Sequence, residues 1–274
     1  EITERYLPMV RAFAGRARVF YDTVDLHWVR FTRASQFGEN PKELEAVADR
    51  YHRLELANAR AADVTIAITQ EERAILMEQD PKLVVTVVPN VHPLYPCLTQ
   101  VADRRDLFFI GGFNHAPNVD AVHYFITDIL PLVHQFFPEV RFHIVGSNMP
   151  ESILELASPL IDPVGYVPDV EPWFEQSRVF VAPLRHGAGM KGKVGQSLSY
   201  GLPVVTSSVG AEGISLFDGV NALIADEPVL FAEAIRRLYS DDALWKRISE
   251  AGQELIRERF SKEKVAPILQ TLVA

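Results

Sequence analysis

Short apolar runs alternate with helical patterns over most of the chain. Between positions 107 and 225 the runs are apolar almost throughout, while apolar residues between the runs recur every three or four positions. Continuous apolar strands separated by helices are typical of a parallel sheet that helices cover on both faces. We therefore predict a complete doubly wound α/β domain with six strands. The predicted strands are 107–110, 140–145, 162–167, 178–183, 203–207 and 222–225.

Helical patterns occupy the intervals between these strands and the end of the chain. Their apolar positions recur at a spacing that gives each helix one apolar face. The clearest predicted helices are 118–137, 150–157, 170–176, 190–200, 229–239, 243–260 and 261–273.

The first 91 residues contain a less complete version of the same pattern. A helix is predicted from Pro41 to Ala61, because Asn40-Pro41 is typical of a helix start. Thr69 with Glu72 three residues later predicts a capping box for the next helix. Three strands are about half of a doubly wound sheet, so we predict a partial Rossmann-like domain here. These strands are 18–22, 64–68 and 84–88.

The periodic pattern stops between residues 92 and 105, which we interpret as an interdomain linker. The predicted domains are a partial one at 1–98, a Rossmann-like one at 99–260, and a C-terminal helix at 261–274 that crosses back to the first. A partial sheet has an unpaired strand edge, which needs to be covered. Packing on the second domain and pairing with a second copy in a homodimer both remain open.

The composition of the chain argues against several classes of protein. The chain has 274 residues and a formal net charge of −9 at pH 7, whereas a protein that coats nucleic acid is usually basic. No apolar run approaches the roughly 18 residues that a membrane span needs, and no signal peptide is expected. Cys97 is the single cysteine, so an internal disulfide is excluded. We expect a cytoplasmic protein without a nucleic-acid partner.

Residues 183–203 carry the most informative local pattern. A predicted strand is followed by a loop with Gly187 and Gly189, and then by a helix. The N–H groups and the dipole of that helix N-terminus point toward whatever binds at the strand end. Lys191 and Lys193 lie at its first turn, where a cation is unfavourable unless an anion compensates. The pattern favours a phosphate or diphosphate ligand, although an ordinary turn with solvated lysines has the same spacing.

Glycine loops also end other predicted strands, at Gly111-Gly112, Gly146 and Gly165. Together these loops outline one crevice at the carboxyl edge of the sheet, where ligands bind in open α/β folds. Gln196 lies at the same end of its helix, and its amide suits a ribose diol because it can both donate and accept.

Several polar residues come directly after the first predicted strand, in the sequence YDTVDLH. Asp25 and His27 belong to this group, and polar residues just after a strand often line a site. A capped loop is the alternative interpretation. The sequence has no cluster of His, Glu and Asp with metal-ligand spacing and no DxD carboxylate pair, so we predict no metal site.

Residues 107–274 resemble the C-terminal domain of the family 4 retaining glycosyltransferases, which have the GT-B fold. The matching stretches are FIGGFNHAPNVDAVHYF, FHIVGS, VGYVPDVEPWFEQSRVFVAPL, GAGMKGKVGQSLSYGLPVVTSSVGAEG, GVNALIAD and RFSKE. Residues 18–91 are similar to the last part of the same family's acceptor domain. The G-x-G-x-K-x-K pattern resembles a subgroup that acts on bacterial surface polysaccharides.

The resemblance implies a metal-independent transfer, with retention, from a nucleotide-diphosphate sugar as donor substrate and with no other cofactor. Gly189 to Lys193 would hold the diphosphate, Gln196 would bind the ribose, and Asp25 or His27 would sit under the transferred sugar as catalytic residues. The first glutamate of the family's E-x7-E signature falls at Ala188, so the signature is incomplete. The candidate donor-binding residues are Gly111, Gly112, Phe113, Asn118, Gly146, Tyr166, Val167, Arg185, Gly187, Gly189, Met190, Lys191, Lys193 and Gln196.

The expected partners are a nucleotide-sugar donor and a glycan or lipid-linked acceptor. A lipid-linked acceptor would bring a peripheral contact with the inner face of the membrane. The first rival is a noncatalytic nucleotide-sugar-binding module, and the second is a GT-B epimerase, which needs carboxylates that Ala188 does not offer. An NAD-dependent oxidoreductase has the least support, since no G-x-G-x-x-G follows an early strand.

Overall fold

The computed structural model describes residues 2–36 and 40–273 and forms two compact units. The first unit comprises residues 2–36, 40–90, 186–190 and 268–273. The second comprises residues 91–185 and 191–267.

A three-stranded parallel sheet forms the centre of the first unit, with strand order β1-β2-β3. Its core contains the buried side chains of Leu26, Leu56, Ala67 and Leu76, which the strands and helices share. The elements are α1 (Ile2–Phe13), β1 (Phe20–Asp22), α2 (His27–Ala34), α3 (Pro41–Ala61), β2 (Val64–Ala67), α4 (Gln70–Gln79) and β3 (Val85–Val87).

The second unit is a doubly wound domain built on one parallel sheet of six strands. Its first elements are β4 (Arg105–Ile110), α5 (Ala116–Tyr124), α6 (Leu130–His134), β5 (Phe142–Val145), α7 (Glu151–Leu154), β6 (Ile161–Gly165) and α8 (Glu171–Gln176). They are followed by β7 (Ser177–Ala182), α9 (Gly192–Ser199), β8 (Val204–Thr206), α10 (Ser208–Ala211), β9 (Leu223–Ile224), α11 (Pro228–Ser240) and α12 (Asp242–Leu255). The last helix of the chain is α13 (Lys262–Val273).

The strand order in this sheet is β6-β5-β4-β7-β8-β9, so the direction of winding reverses between β4 and β7. Side chains of both central strands, such as Phe109 and Val181, are fully buried because helices cover both faces. In such sheets ligands bind outside the carboxyl ends of the strands at the reversal. The predicted α/β class, with a complete doubly wound domain preceded by a partial one, is confirmed.

Several local predictions need correction. Two predicted helices, 118–137 and 243–260, are interrupted or ended by a π-helical turn, at Phe125–Ile129 and Ile256–Phe260. Helices α1 and α2 were not predicted at all. No side chain of α1 is buried, so this helix lacks the core-facing positions on which pattern recognition depends.

The start of α4 forms the first hydrogen bond of the predicted capping box. The Thr69 hydroxyl accepts the N–H of Glu72, as predicted. The Glu72 carboxylate accepts the N–H groups of Ile68 and Leu26, at 3.2 Å each. Glu72 therefore ties the loop after β1 to the start of α4.

The segment predicted as a linker is an ordered part of the second unit. The N–H of His92 donates to the carbonyl oxygen of Phe260, and the ring of Tyr95 stacks on Tyr200 with 4.0 Å between centroids. The side-chain amide of Gln253 donates to the carbonyl oxygen of Tyr95. The segment thus follows the surface of α9 and α12 without regular structure, except for a 3-10 turn at Val101–Asp103.

Candidate functional site

A cleft of about 380 Å³ opens at the carboxyl ends of the strands around the winding reversal. It brings together seven of the candidate residues: Gly111, Gly112, Gly146, Tyr166, Val167, Lys193 and Gln196. The remaining lining residues, which the sequence analysis did not identify, are Ile110, Val145, Ser147 and Val170. Three of these residues lie next to the predicted glycine loops, so their position at a strand end could have identified them. Val170 had no such signal.

Lys193 supplies the positive charge of the cleft. It lies in the first turn of α9, and its ammonium nitrogen is 4.6 Å from the centroid of the Phe109 ring. Burial, followed by the charge of Lys191, lowers the pKa of Lys193 from 10.5 to about 7. A lysine in this position gains its charge fully only when an anion binds beside it.

Asn118 is the hydrogen-bond partner that holds Lys193. The ammonium group donates to the Asn118 side-chain oxygen, and the Asn118 amide donates to the carbonyl oxygen of Gly112 at 2.7 Å. The partner is a neutral amide and not a carboxylate. The charge of Lys193 is therefore not neutralised by this partner, and it remains available to a ligand.

Two glycines of the cleft are required by close packing. A Cβ at Gly111 would lie 2.7 Å from the Asn118 side-chain nitrogen and 3.3 Å from the Lys193 ammonium. Gly146 has φ of +152°, and a Cβ there would lie 1.8 Å from the carbonyl oxygen of Gly111. The β5 loop can approach the β4 loop this closely only because residue 146 is glycine, whereas Gly111 leaves the space that the Asn118 and Lys193 side chains occupy.

Other candidates of the second unit lie outside the cleft lining. Phe113 is buried in the core, where its ring packs on Phe109. Arg185 donates from Nε to Asp120 at 3.0 Å, and its guanidinium lies 4.8 Å from the centroid of the Tyr124 ring. Lys191 is buried at the N-cap of α9.

The candidates Gly187, Gly189 and Met190 belong to the first unit. Gly189 has φ of +67°, and a Cβ there would lie 3.3 Å from the Cβ of Asp25. The guanidinium of Arg33 donates to the carbonyl oxygen of Gly187 at 2.9 Å. Residues 186–190 therefore pack on the loop that carries Asp25, and this packing requires a glycine at position 189.

Asp25 and His27 come together in the first unit, at the carboxyl end of β1. The residue before Asp25, Val24, has φ of +61°, and the N–H of Asp25 donates to the carbonyl oxygen of Thr23 at 2.6 Å. A β-branched residue at positive φ is strained, and such strain is often found at functional sites. One oxygen of Asp25, Oδ2, accepts from Arg30 at 2.8 Å.

Glu55 is a functional candidate that the sequence analysis missed. This buried carboxylate on α3 accepts from Nδ1 and from the backbone N–H of His27, at 3.0 Å each. Burial raises the pKa of Glu55, and hydrogen bonds from His27 and Trp28 oppose that rise. Nothing in the sequence links residues 27 and 55, because their contact depends on how α2 packs on α3.

Among the described residues, no group of three or more His, Cys, Asp or Glu side chains is arranged to hold a metal ion. No helix in the described part of the chain has the length and apolarity needed to cross a membrane.

Comparison with known proteins identifies the family. A model described as glycosyl transferases group 1 matches residues 104–241, which are half of the chain. The lipopolysaccharide core biosynthesis glycosyltransferase LpsE of Rhizobium meliloti (strain 1021) is 32% identical over 114 residues, covering 40% of this chain and 33% of LpsE. An uncharacterized 44.6 kDa protein in the cps region of Klebsiella pneumoniae is 23% identical over 192 residues, covering 65% of this chain and 48% of that protein. The chain spans about half or less of the length of these curated relatives.

Solved structures show the same fold. A TarM mutant from S. aureus, in complex with fondaparinux, alpha-GlcNAc-glycerol and UDP, aligns with a TM-score of 0.76 at 15% identity, covering 98% of this chain and 53% of TarM. Anabaena Alr3699/HepE in complex with UDP aligns with a TM-score of 0.70 at 15% identity, covering 99% of this chain and 75% of HepE. The chain has the GT-B fold that the resemblance implied.

Proposed function

Because the chain belongs to the group 1 glycosyl transferases, we propose that it transfers a sugar from a nucleotide-diphosphate sugar to a glycan or lipid-linked acceptor. The proposal includes retention of the anomeric configuration, as in the family 4 enzymes that the sequence resembles. The name of LpsE refers to lipopolysaccharide core biosynthesis and the Klebsiella relative lies in a cps region, which supports a role in surface polysaccharide synthesis.

The observation that carries this proposal is the buried cation at the winding reversal. Lys193 projects into a cleft made by the ends of β4, β5 and β6, and a neutral amide holds it. A diphosphate bound there would restore the charge of Lys193 and accept hydrogen bonds from it. UDP is present in the TarM and HepE structures, so we take UDP as the first nucleotide to test.

Lys193 also suits the chemistry of the transfer. When the glycosidic bond of the donor breaks, negative charge grows on the departing diphosphate. An ammonium group and the N-terminal dipole of α9, already in place, would stabilise that charge without reorganisation. We therefore propose that the reaction needs no metal ion. Gln196, on the same cleft, is proposed to bind the ribose.

Asp25 and His27 are proposed to act on the transferred sugar. The support is the resemblance of YDTVDLH to the family's acceptor domain, together with the strained backbone at Val24. Gly187 to Met190 and Lys191 are proposed to contact the donor phosphates, also on the basis of the resemblance.

A noncatalytic nucleotide-sugar-binding module is the second candidate. It is favoured by Ala188, which stands where the family signature has a carboxylate, and by the three strands of the first unit. Incubation of the chain with a UDP-sugar and a glycan acceptor separates the two candidates. Transfer supports the enzyme, whereas tight UDP binding without transfer supports the module.

The diphosphate site is tested with Lys193→Met, which removes the charge and keeps most of the side-chain volume. Each charged hydrogen bond contributes about 1.5–3 kcal/mol, so UDP affinity should fall roughly tenfold or more. Uridine affinity should hardly change, because uridine has no phosphate. Lys246→Met, at an exposed position on α12, is the matched control. Equal losses for UDP and uridine would contradict the assignment.

A further inference from the structure

The start of helix α2 is capped by a residue that lies far away in the sequence. Its N-cap residue, Leu26, has no side-chain group that could accept a hydrogen bond. The carboxylate of Glu55, on α3, instead accepts the backbone N–H groups of His27 at 3.0 Å and Trp28 at 3.3 Å. Glu55 is only 3% exposed, so these bonds are shielded from water.

The same carboxylate also fixes the ring of His27. Nδ1 of the ring lies 3.0 Å from Oε1 of Glu55. An ionised carboxylate can only accept hydrogen bonds, so Nδ1 must carry the proton. In the neutral ring Nε2 is then the atom with the free lone pair. The ring also stacks on Tyr51, with 5.0 Å between centroids, which restricts its rotation.

Nε2 of His27 is left for a ligand. It has no hydrogen-bond partner among the described residues, and the His27 side chain remains 32% exposed. Because it is an acceptor in the neutral ring, it can bond to a hydroxyl group but not to a phosphate oxygen. This distinguishes it from the charged Lys193 ammonium, which can only donate.

Asp25 does not replace Glu55 in this arrangement. Its Oδ1 lies 3.1 Å from the same ring nitrogen but makes no hydrogen bond in the described part of the chain. Its other oxygen is engaged by Arg30. The directional bond to Nδ1 therefore comes from Glu55.

We propose that Glu55 is a positioning residue that holds His27 in its Nδ1–H form and so presents Nε2 as an acceptor for a hydroxyl group of the sugar substrate. The identity of that substrate rests on the proposed function, but the tautomer does not. Glu55 itself need not touch the substrate. Its effect passes through His27, as in other sites where a carboxylate orients an imidazole.

The tautomer is measured directly by ¹⁵N NMR of histidine-labelled full-length chain. The chain has eight histidines, so the His27 signals are assigned by their loss in His27→Gln. In the neutral His27 ring of the wild type we expect a protonated Nδ1 and an unprotonated Nε2. Glu55→Gln should shift the ring toward a mixture of tautomers, because an amide can donate as well as accept. Glu45→Gln, on the exposed side of the same helix, should leave the spectrum unchanged.

A purely structural role for Glu55 predicts a different result. Loss of the cap of α2 would lower the melting temperature but leave the His27 tautomer in the folded protein as it was. An unchanged tautomer in folded Glu55→Gln would therefore overturn the proposal, whatever happens to stability.

A double-mutant cycle on sugar transfer gives a second readout. If Glu55 acts through His27, Glu55→Gln should lower kcat/KM about tenfold in the wild type and have no further effect in His27→Gln. UDP affinity should be the same in all four proteins, since the cleft of the second unit is intact. Fully additive losses would contradict the proposal. Absence of transfer by the wild type would contradict the proposed function instead, and the NMR experiment would still decide the role of Glu55.

Discussion

Burial lowers the pKa of Lys193 to about 7, so binding of a diphosphate to the cleft should depend on pH in a defined direction. In the free protein Lys193 loses its proton as the pH rises through about 7. In the complex the anion favours the charged form and raises the pKa of Lys193 back toward its ordinary value of 10.5. Binding between these two values therefore takes up a proton.

Linkage sets the magnitude of this effect. Where the free lysine is neutral and the bound lysine is charged, affinity falls about tenfold for each pH unit, because one proton is taken up on binding. From pH 7 to pH 9 the dissociation constant should rise by up to roughly a hundredfold. Below pH 7 the lysine is charged in both states, and the affinity should level off.

Isothermal titration calorimetry with a UDP-sugar is the suitable assay, since its diphosphate diester does not titrate in this range. Titrations at pH 8 in buffers of different ionisation enthalpy should show uptake of close to one proton. Lys193→Met should bind more weakly and without the steep fall above pH 7. A flat pH profile in the wild type, or the same slope in Lys193→Met, would show that Lys193 does not take up a proton when the diphosphate binds.

Four further outcomes are expected. Gly111→Ala should weaken UDP binding about tenfold, because its Cβ would displace Asn118 and the bond to Lys193, and titration calorimetry measures this. Gly146→Ala should destabilise the fold by at least roughly 3 kcal/mol in urea denaturation, since its Cβ would clash with the carbonyl of Gly111. Burial lowers the pKa of His143, but its hydrogen bonds to Asp106 and Asp162 outweigh burial, so its pKa in the folded protein is raised above 6.5. The wild type should therefore be more stable than His143→Gln below pH 6.5, and this difference in the free energy of unfolding should be lost as the pH rises above that value. Sugar transfer should persist in EDTA, and recovery only with Mg²⁺ or Mn²⁺ would contradict metal independence.

The sheet could be predicted from the sequence because its strands are buried on both faces. Strand β7, for example, is buried at every position, and its last four residues, VFVA, form a continuous apolar run. The last four residues of β4, LFFI, are also apolar, and all of them except Ile110 are buried. The position of the cleft followed from these strands, since glycines mark the ends of β4, β5 and β6.

The contacts that define the chemistry of the candidate site could not be predicted in the same way. Asn118 holds Lys193 across 75 positions of sequence, and Glu55 orients His27 across 28. Both pairs depend on how one helix packs against another element, and periodicity carries no information on such long-range pairs. The hydrogen bond from Leu26 to Glu72 could not be predicted for the same reason, because these residues lie 46 positions apart.

A crystal structure of the chain with UDP would show directly whether Lys193 binds the diphosphate. We expect a phosphate oxygen within hydrogen-bond distance of the Lys193 ammonium, in the cleft lined by Gly111, Gly146 and Gln196. UDP bound at another surface, or in the cleft with both phosphates pointing away from Lys193, would contradict a diphosphate site at Lys193.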